Sequence, residues 1–179
     1  MTFDGGGWTL VLLNGGHATP PKPFWDQLVN ENNVTGNVDG SLDSGFDLFL
    51  GVKYWNMLGT TLRAEAGWSS SSILHRSLYD FSLDAAASYT IHLSNPQLLV
   101  GTEQSGLFTY HNNHPLSSRD RDNDAYGGSC SSAYGYTAWW YGNCWSGSFW
   151  GGGGASGYEN APYWTGQSNA FTWGALWVR

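Results

Sequence analysis

Three aspartates lie close together in the stretch SRDRDNDAYGG, which runs from Ser118 to Gly128. Asp120, Asp122 and Asp124 alternate with other polar residues, so their carboxylates repel one another in water. Oxygen-rich loops of this kind bind calcium, which takes about six to eight oxygen ligands from carboxylates, backbone carbonyls and water. The glycines that close the stretch let carbonyl groups turn toward an ion. Alternatively, the stretch is a solvated surface turn, which Asp and Asn also favour.

The spacing differs from the calcium loop of an EF-hand, which needs glycine at its sixth position and glutamate at its twelfth. Counted from Asp120, those positions are Ala125 and Ser131. The stretch also lacks the helical flanks of that motif. Magnesium fits less well than calcium, because magnesium keeps most of its water ligands. Spacing alone therefore leaves both calcium binding and a plain acidic turn open.

Catalytic chemistry is poorly supported by the sequence. His111 and His114 have a spacing seen in metal sites, but they lie on a proline-bounded loop without a third ligand. No GxSxG nucleophile motif is present. The paired acids of a glycosidase need one carboxyl group with a raised pKa, whereas carboxylates that coordinate a cation stay ionised. We therefore predict a domain without enzymatic activity.

Composition and charge argue against two classes of partner. With 14 acidic and 7 basic residues the net charge is -7, and the basic residues do not cluster, so binding to nucleic acid or to anionic membranes is disfavoured. No apolar run is long enough for membrane insertion. The sequence has 11 Trp, 10 Tyr, 8 Phe and 25 Gly, which predicts short strands, many turns and long ordered loops. Its 179 residues suit one domain, residues 1–179.

The sequence has two cysteines, Cys130 and Cys144. A disulfide is favoured over two free thiols, because no zinc-type spacing of Cys and His is present. A disulfide indicates an oxidising compartment. No signal peptide precedes the first strand-like run. We therefore interpret the sequence as a domain of a longer secreted or cell-surface protein.

Short strands are predicted to position the acidic loop and the two cysteines. The apolar run from Trp8 to Leu13 predicts a strand that is buried on both faces. Alternation of apolar and polar residues in TTLRAEA (residues 60–66) and SYTIHLS (residues 88–94) predicts half-buried antiparallel strands. The segment FTWGALWVR (residues 171–179) predicts a last strand.

Helices are predicted to be few and short. One is expected near Phe24 to Val29, and another around Val52 to Leu58, where Gly59 would end it. The rest of residues 17–45 reads as loop, because Pro, Asn, Asp and Gly are frequent there. The predicted fold class is α+β.

The segment YHNNHPLSSRDRDNDAYGGSCSSAYGYTAWWYGNCWSG, which begins at Tyr110, resembles the C-terminal domain of fibrinogen-related proteins, a family that includes ficolins and tachylectins. The resemblance is carried by YHN, the acidic block, the position of Cys130, the AWWY run and the pair Asn143-Cys144. The opening FDGGGWTLV and the segment GYEN extend it over nearly the whole sequence. It implies a central, mostly antiparallel sheet with few short helices and long ordered loops, without the N-terminal subdomain of the family. It also places Trp139-Trp140 in the core rather than on a binding face.

The resemblance further implies a calcium ion in the acidic loop. By match, Asp122 and Asp124 would provide carboxylate ligands, and Tyr126 and Gly128 would provide backbone carbonyls. Asp120 would lie behind these ligands. The ion would offset the repulsion between the carboxylates and order the loop.

The family binds ligands in a pocket beside this loop, where the peptide bond before the second cysteine is cis and backbone N–H groups face the ligand. By match, that bond is Asn143-Cys144. Aromatic walls would receive an acetyl methyl group. Glu159 lies where an acidic group contacts basic peptide ends in fibrinogen itself. The pocket residues implied by the resemblance are Tyr134, Asn143, Cys144, Trp145, Tyr158 and Glu159.

The sequence departs from the family pattern at the mouth of this pocket. Trp145 stands where the family commonly has histidine, and Phe149-Trp150-Gly151 replaces the usual LNG. The identity of the ligand is therefore the least constrained expectation.

Together, these features predict a secreted or cell-surface, calcium-dependent lectin-like domain that binds acetylated sugars such as N-acetylhexosamines or sialic acids. A single shallow site binds weakly, so multivalent display would supply avidity. Two alternatives are a peptide-binding module, with Glu159 pairing a cationic peptide terminus, and an adhesion module of a larger secreted protein.

Overall fold

The computed structural model describes residues 6–16, 22–35, 42–43, 45–101, 109–144, 146–150, 163–164 and 171–179. The strands are β1 (Thr9–Asn14), β2 (Asn33–Thr35), β3 (Asp47–Phe49), β4 (Thr61–Ser69), β5 (Ser72–Leu83), β6 (Ile91–Val100), β7 (Gly147–Ser148), β8 (Tyr163–Trp164) and β9 (Trp173–Val178). The helices are α1 (Trp25–Asn30), α2 (Trp55–Leu58) and α3 (Cys130–Ala133), and a 3₁₀ turn at Val52–Tyr54 leads into α2. In these ranges no helix is long and apolar enough to span a membrane.

Seven strands form one antiparallel sheet in the order β2-β3-β1-β9-β4-β5-β6. The central strand β9 pairs with β1 on one side and with β4 on the other. A separate two-stranded sheet joins β7 and β8. The predicted α+β fold with a central antiparallel sheet and short helices is therefore confirmed.

Most local predictions are confirmed within a few residues. The first strand, both short helices and the last strand lie where the sequence predicts them, and α2 ends at Gly59. The strand predicted at residues 88–94 starts later, at Ile91, and continues to Val100. The prediction of loop for residues 17–45 is wrong at β2, which pairs with β3 at the edge of the sheet.

A core rich in tryptophan lies on one face of the sheet. Trp55 stacks on Phe49 and packs at a tilted angle against Trp140, and both pairs of ring centroids are 5.6 Å apart. Trp139 contacts Trp140 at 5.3 Å, and both rings are fully buried, which confirms the prediction that this pair belongs to the core. Large aromatic side chains of this kind each contribute about 2–3 kcal/mol when buried. They anchor the long segment of residues 109–150, which contains little regular structure.

The other face of the sheet buries charges. Arg63 and Glu65 of β4 are each only 3% exposed, so the prediction of a half-buried strand with its polar residues facing outward is wrong. Glu65 accepts hydrogen bonds from Arg63 Nε at 2.9 Å, Arg76 Nε at 2.6 Å and Trp177 Nε1 at 2.9 Å. Two guanidinium groups and an indole satisfy this carboxylate, which is what permits its burial.

A turn formed by residues 111–114 covers the first part of the edge strand β6. Asn112 donates from Nδ2 to the Leu93 carbonyl at 2.8 Å and accepts the Leu93 N–H at 2.7 Å. Asn113 N donates to Ile91 O at 2.7 Å, and Ile91 N donates to His114 O at 3.1 Å. The turn therefore acts as a short extra strand. It fixes the segment that contains the YHN sequence against the sheet.

Candidate functional site

The acidic loop is curled by its own carboxylates. Asp122 Oδ1 accepts the N–H of Asp124 at 3.2 Å. Asp124 accepts the N–H of Tyr126 at Oδ1, at 3.1 Å, and the N–H of Cys130 at Oδ2, at 3.0 Å. These bonds from side chain to backbone replace regular secondary structure in the loop. They bring the carboxylates of Asp122 and Asp124 next to each other.

The two carboxylates disturb each other electrostatically. The pKa of Asp124 is raised above its ordinary value, chiefly because burial disfavours the charged form. The neighbouring Asp122 carboxylate raises this pKa further, whereas the N–H groups of Cys130 and Tyr126 act in the opposite direction. A divalent cation between the two oxygens would reverse this effect and keep both groups ionised.

The oxygen atoms around the loop fit the predicted set of calcium ligands. The carbonyl oxygens of Tyr126 and Gly128 accept no hydrogen bond from any residue in the described ranges, so both remain available as ligands. In the same ranges, no three His, Cys, Asp or Glu side chains cluster to bind a metal. A cation here would therefore need carbonyl oxygens besides Asp122 and Asp124, as in the predicted set. Calcium binding itself stays a prediction.

Asp120 connects the acidic loop to α1. Its Oδ1 accepts the backbone N–H of Trp25 at 2.8 Å and the hydroxyl of Ser118 at 2.9 Å. Trp25 is the first residue of α1, so its N–H has no partner within that helix. Asp120 therefore stabilises the start of α1 as well as the loop.

We expect Asp120→Ala to lower the free energy of unfolding by about 1 kcal/mol, because two hydrogen bonds to this carboxylate are lost at an exposed position. Chemical denaturation measures the change. Glu31→Ala is the matched control, because Glu31 is an exposed acid whose side chain makes no hydrogen bond in the described part of the protein. Equal stability of the two variants would contradict the structural role of Asp120.

The second loop of the site, residues 142–144, lies beside the acidic loop. Cys130 and Cys144 form the predicted disulfide. The peptide bond between Asn143 and Cys144 is cis, as the resemblance implies. Asn143 is exposed and Cys144 is half-buried, so a ligand can reach this backbone.

Direct bonds join the two loops. Ala125, inside the acidic loop, donates its N–H to the carbonyl of Gly142 at 3.0 Å. Gly142 in turn donates to the carbonyl of Cys144 at 2.9 Å. Asp124 holds the N–H of Cys130, and Cys130 is covalently bonded to Cys144. A change in the acidic loop therefore reaches the backbone of residues 142–144 through two short routes.

His111 supports the second loop from behind, and sequence reasoning assigned it no role there. It is fully buried, and its Nδ1 donates to the Trp140 carbonyl at 2.7 Å. Its Nε2 accepts the N–H of Ser146 at 3.2 Å, so the ring must be neutral and protonated on Nδ1. Burial lowers the pKa of His111 to about 4. The YHN run was the sequence feature that could have indicated this role. The hydrogen-bond partners of His111, however, lie about 30 residues away in the sequence.

Two neighbours of His111 also contact this loop. Tyr110 accepts the N–H of Asn143 at its hydroxyl oxygen, at 3.3 Å. His114 packs so closely on Gly142 that a Cβ atom at this glycine would lie 2.8 Å from His114 Nε2. Residues 110, 111 and 114 therefore fix the position of the loop and require glycine at 142.

The predicted pocket is described in part. Tyr134 follows α3, is half-buried, and stacks on Tyr141 with ring centroids 6.4 Å apart. Its ring and the disulfide both pack against the main core. Trp145, Tyr158 and Glu159 lie outside the described residues, so their predicted roles stay predictions.

The fold is known from solved structures. The fibrinogen-like globe domain of human ANGPTL2 matches 99% of this protein and 82% of its own length, with a TM-score of 0.74 and 23% identity. A lamprey fibrin D-dimer complexed with the peptide Gly-His-Arg-Pro-amide matches 99% of this protein and 62% of its own length, with a TM-score of 0.75 and 18% identity. At these identities the likeness shows the fold.

The protein belongs to the family of C-terminal globular domains of fibrinogen beta and gamma chains, which matches residues 57–178. Techylectin-5A from Tachypleus tridentatus is 24% identical over 178 residues, which cover 99% of this sequence and 55% of that protein. The sequence thus spans about half the length of this curated relative. The resemblance stated from the acidic block and the cysteines is confirmed.

Proposed function

We propose that this domain is a calcium-dependent, lectin-like module that binds acetylated sugars at the loop of residues 142–144. The observation that carries the proposal is the bonded contact between the two loops, from Ala125 N to Gly142 O and from Asp124 through Cys130 to Cys144. A bound calcium ion would supply the positive charge that offsets the carboxylates of Asp122 and Asp124. An acidic loop held in one conformation then holds the ligand-binding backbone in one conformation as well.

The residues around the second loop preorganise it for binding. His111 holds the segment on both sides, at Trp140 and at Ser146, and Tyr110 holds Asn143. A backbone fixed in this way loses little conformational freedom when a ligand binds. Among the described residues the N–H of Cys144 donates to no acceptor, and this donor would suit the carbonyl oxygen of an acetamido group.

Aromatic contacts would complete the recognition of the acetyl group. The half-buried ring of Tyr134 offers an apolar face for the methyl, and the predicted walls Trp145 and Tyr158 would add to it. Such a small site makes few contacts. We therefore expect a dissociation constant near the millimolar range, with avidity from multivalent display.

The relatives support a module that recognises ligands outside the cell. Techylectin-5A carries a lectin name, and the lamprey fibrin D-dimer is complexed with a peptide. Disulfides such as Cys130–Cys144 persist in oxidising compartments, which supports secretion or display at the cell surface. The peptide complex makes binding of a basic peptide terminus, with Glu159 as its partner, the second candidate function.

Calorimetric titration with N-acetylglucosamine, glucose and Gly-His-Arg-Pro-amide, each with calcium and with EDTA, separates the candidates. The proposal predicts binding of N-acetylglucosamine with calcium, its loss with EDTA, and little binding of glucose. Binding of the peptide alone would favour the second candidate. Equal binding of N-acetylglucosamine and glucose, or binding that EDTA does not change, would contradict the proposal.

A further inference from the structure

An exposed guanidinium group lies between aromatic rings beside the acidic loop. The Cζ atom of Arg119 is 4.4 Å from the ring centroid of Phe24 and 5.6 Å from that of Tyr136. Phe24 is 47% exposed and Tyr136 is 45% exposed. These three side chains, which we name the Arg119 cluster, form an aromatic surface with a positive charge at its centre.

Several elements hold the Arg119 cluster in place. Arg119 lies in the tight turn that the Ser118 N–H closes onto the Arg121 carbonyl at 2.9 Å. Tyr136 has a φ of +65°, and its N–H donates to the Ser131 carbonyl at 2.7 Å. A large aromatic residue seldom adopts a positive φ, so this backbone bond fixes the direction in which Tyr136 points. The cluster is therefore built by three separate segments of the protein.

No acidic side chain of the described residues pairs with Arg119. Within the described ranges, Arg119 donates to no hydrogen-bond acceptor and forms no ion pair. The adjacent Asp120 instead accepts from Trp25 and Ser118. Arg121, its nearest basic neighbour in the sequence, donates to the Ala87 carbonyl at 2.7 Å. In a protein with a net charge of -7, an exposed and unmatched guanidinium is available to an external anion.

The geometry favours a carboxylate on a ring-shaped molecule. A guanidinium group that stacks on aromatic rings keeps its N–H edge open, and this edge matches the two oxygens of a carboxylate. The exposed rings of Phe24 and Tyr136 can receive the apolar face of a sugar. A saccharide that carries a carboxylate satisfies both parts of the cluster.

The cluster is also close to the proposed acetyl-sugar site. Tyr136 is two residues from Tyr134, so their Cα atoms are at most about 7 Å apart. Arg119 is three residues from Asp122 in the acidic loop. We propose that the Arg119 cluster binds the carboxylate of an acidic, N-acetylated glycan whose acetamido group occupies the neighbouring site. This inference rests on the proposed function and narrows its substrate class.

Hyaluronan and chitin oligosaccharides of equal length provide the test, because both contain N-acetylglucosamine and only hyaluronan carries carboxylates. Titrations with hexasaccharides in calcium are expected to show about fivefold tighter binding of the hyaluronan probe at low salt. This preference should shrink between about 50 and 300 mM sodium chloride, because exposed charges are screened. Arg119→Gln should remove the preference and leave chitin binding unchanged. Arg119→Lys should keep part of it, since the charge remains but the planar donor edge is lost.

Lys53→Gln is the charge-matched control. Lys53 is exposed, donates to Asn30 at the far end of α1, and has no place in the Arg119 cluster. Melting temperatures confirm that each variant is folded. Equal binding of both probes by the wild type would overturn the inference and leave the proposed function standing, whereas binding of neither would overturn both. An equal loss of preference in Arg119→Gln and Lys53→Gln would also overturn the inference, since net charge would then explain it.

Discussion

Replacing Asp122 with asparagine is expected to abolish the stabilisation of the domain by calcium without lowering the stability of the calcium-free protein. In the described part of the protein, Asp122 accepts the N–H of Asp124, and asparagine can still accept that bond. The substitution also removes the charge that raises the pKa of Asp124. Without calcium, the variant should therefore be as stable as the wild type or slightly more stable.

With calcium, the order of stability should reverse. If the dissociation constant is about 0.1 mM, about 10 mM calcium stabilises the wild type by roughly 2.7 kcal/mol. For a domain of this size, that corresponds to an increase in Tm of about 5–10 °C. Asp122→Asn should lack this increase and should also lose binding of N-acetylglucosamine, because the loops share the bonds through Ala125 and Cys130.

Thermal denaturation in calcium and in EDTA measures both parts of this expectation. Glu31→Gln removes one exposed carboxylate elsewhere and should respond to calcium as the wild type does. An Asp122→Asn variant that keeps the full calcium response would refute the predicted ligand set. A variant that loses the response but keeps sugar binding would refute the coupling between the two loops.

His111 is expected to make the domain acid-sensitive. The pKa of this buried imidazole is lowered from 6.5 to about 4 in the folded protein. Between these pH values the unfolded protein binds more protons than the folded protein, so the free energy of unfolding rises with pH across this window. Above about pH 6.5 the contribution of His111 no longer changes. Acidification from pH 7 to pH 4 should therefore destabilise the protein by on the order of 3 kcal/mol through this residue.

Protonation would also disturb the binding loop directly. A doubly protonated imidazole cannot accept the N–H of Ser146, so that bond at Nε2 is lost. Among the described residues, the titratable side chains that face His111 are Tyr110 and His114, and a charge on His114 lowers the pKa of His111 further. We therefore expect sugar binding to weaken over the same pH range as stability.

His111→Gln tests this origin of the acid sensitivity. Glutamine donates and accepts hydrogen bonds but does not titrate in this range. In urea denaturation with EDTA, the variant should lose about 3 kcal/mol less than the wild type between pH 7 and pH 4. His92→Gln is the control, because hydrogen bonding to Asn113, then to Asp84, raises the pKa of His92, and its stabilisation is lost as pH rises instead. Identical acid losses in the wild type and His111→Gln would contradict the assignment.

Local pattern explains which strands could be predicted. The first and last strands are continuous apolar runs, and they occupy interior positions of the sheet, where both faces are buried. The strand β5 could not be predicted from the sequence, because some of its polar side chains are buried and one of its apolar side chains is exposed. His75 and Ser77 are buried, whereas Leu74 is 42% exposed, so alternation gives no clear signal. The burial of Glu65 could not be predicted for a related reason. It depends on hydrogen bonds from Arg76 and Trp177, which lie on other strands.

The predictable part of the site is the part that lies close together in sequence. Asp122, Asp124 and Cys130 fall within nine residues, and their carboxylate-to-backbone bonds are local. The supports at Tyr110 and His111 act on residues about 30 positions further along the sequence. No spacing rule connects such distant residues, and the fold alone brings them together.

The position of β9 has a consequence for the synthesis of the protein. This strand, at Trp173–Val178, fills the gap between β1 and β4, so neither neighbour can complete its hydrogen bonding until residue 178 has left the ribosome. Until then, one edge of β1 and one edge of β4 stay unpaired in the nascent polypeptide. Unpaired strand edges are templates for association with other polypeptides. Sheets closed by such distant pairings also fold slowly. Newly made molecules should therefore depend on chaperones more than the stability of the finished domain suggests.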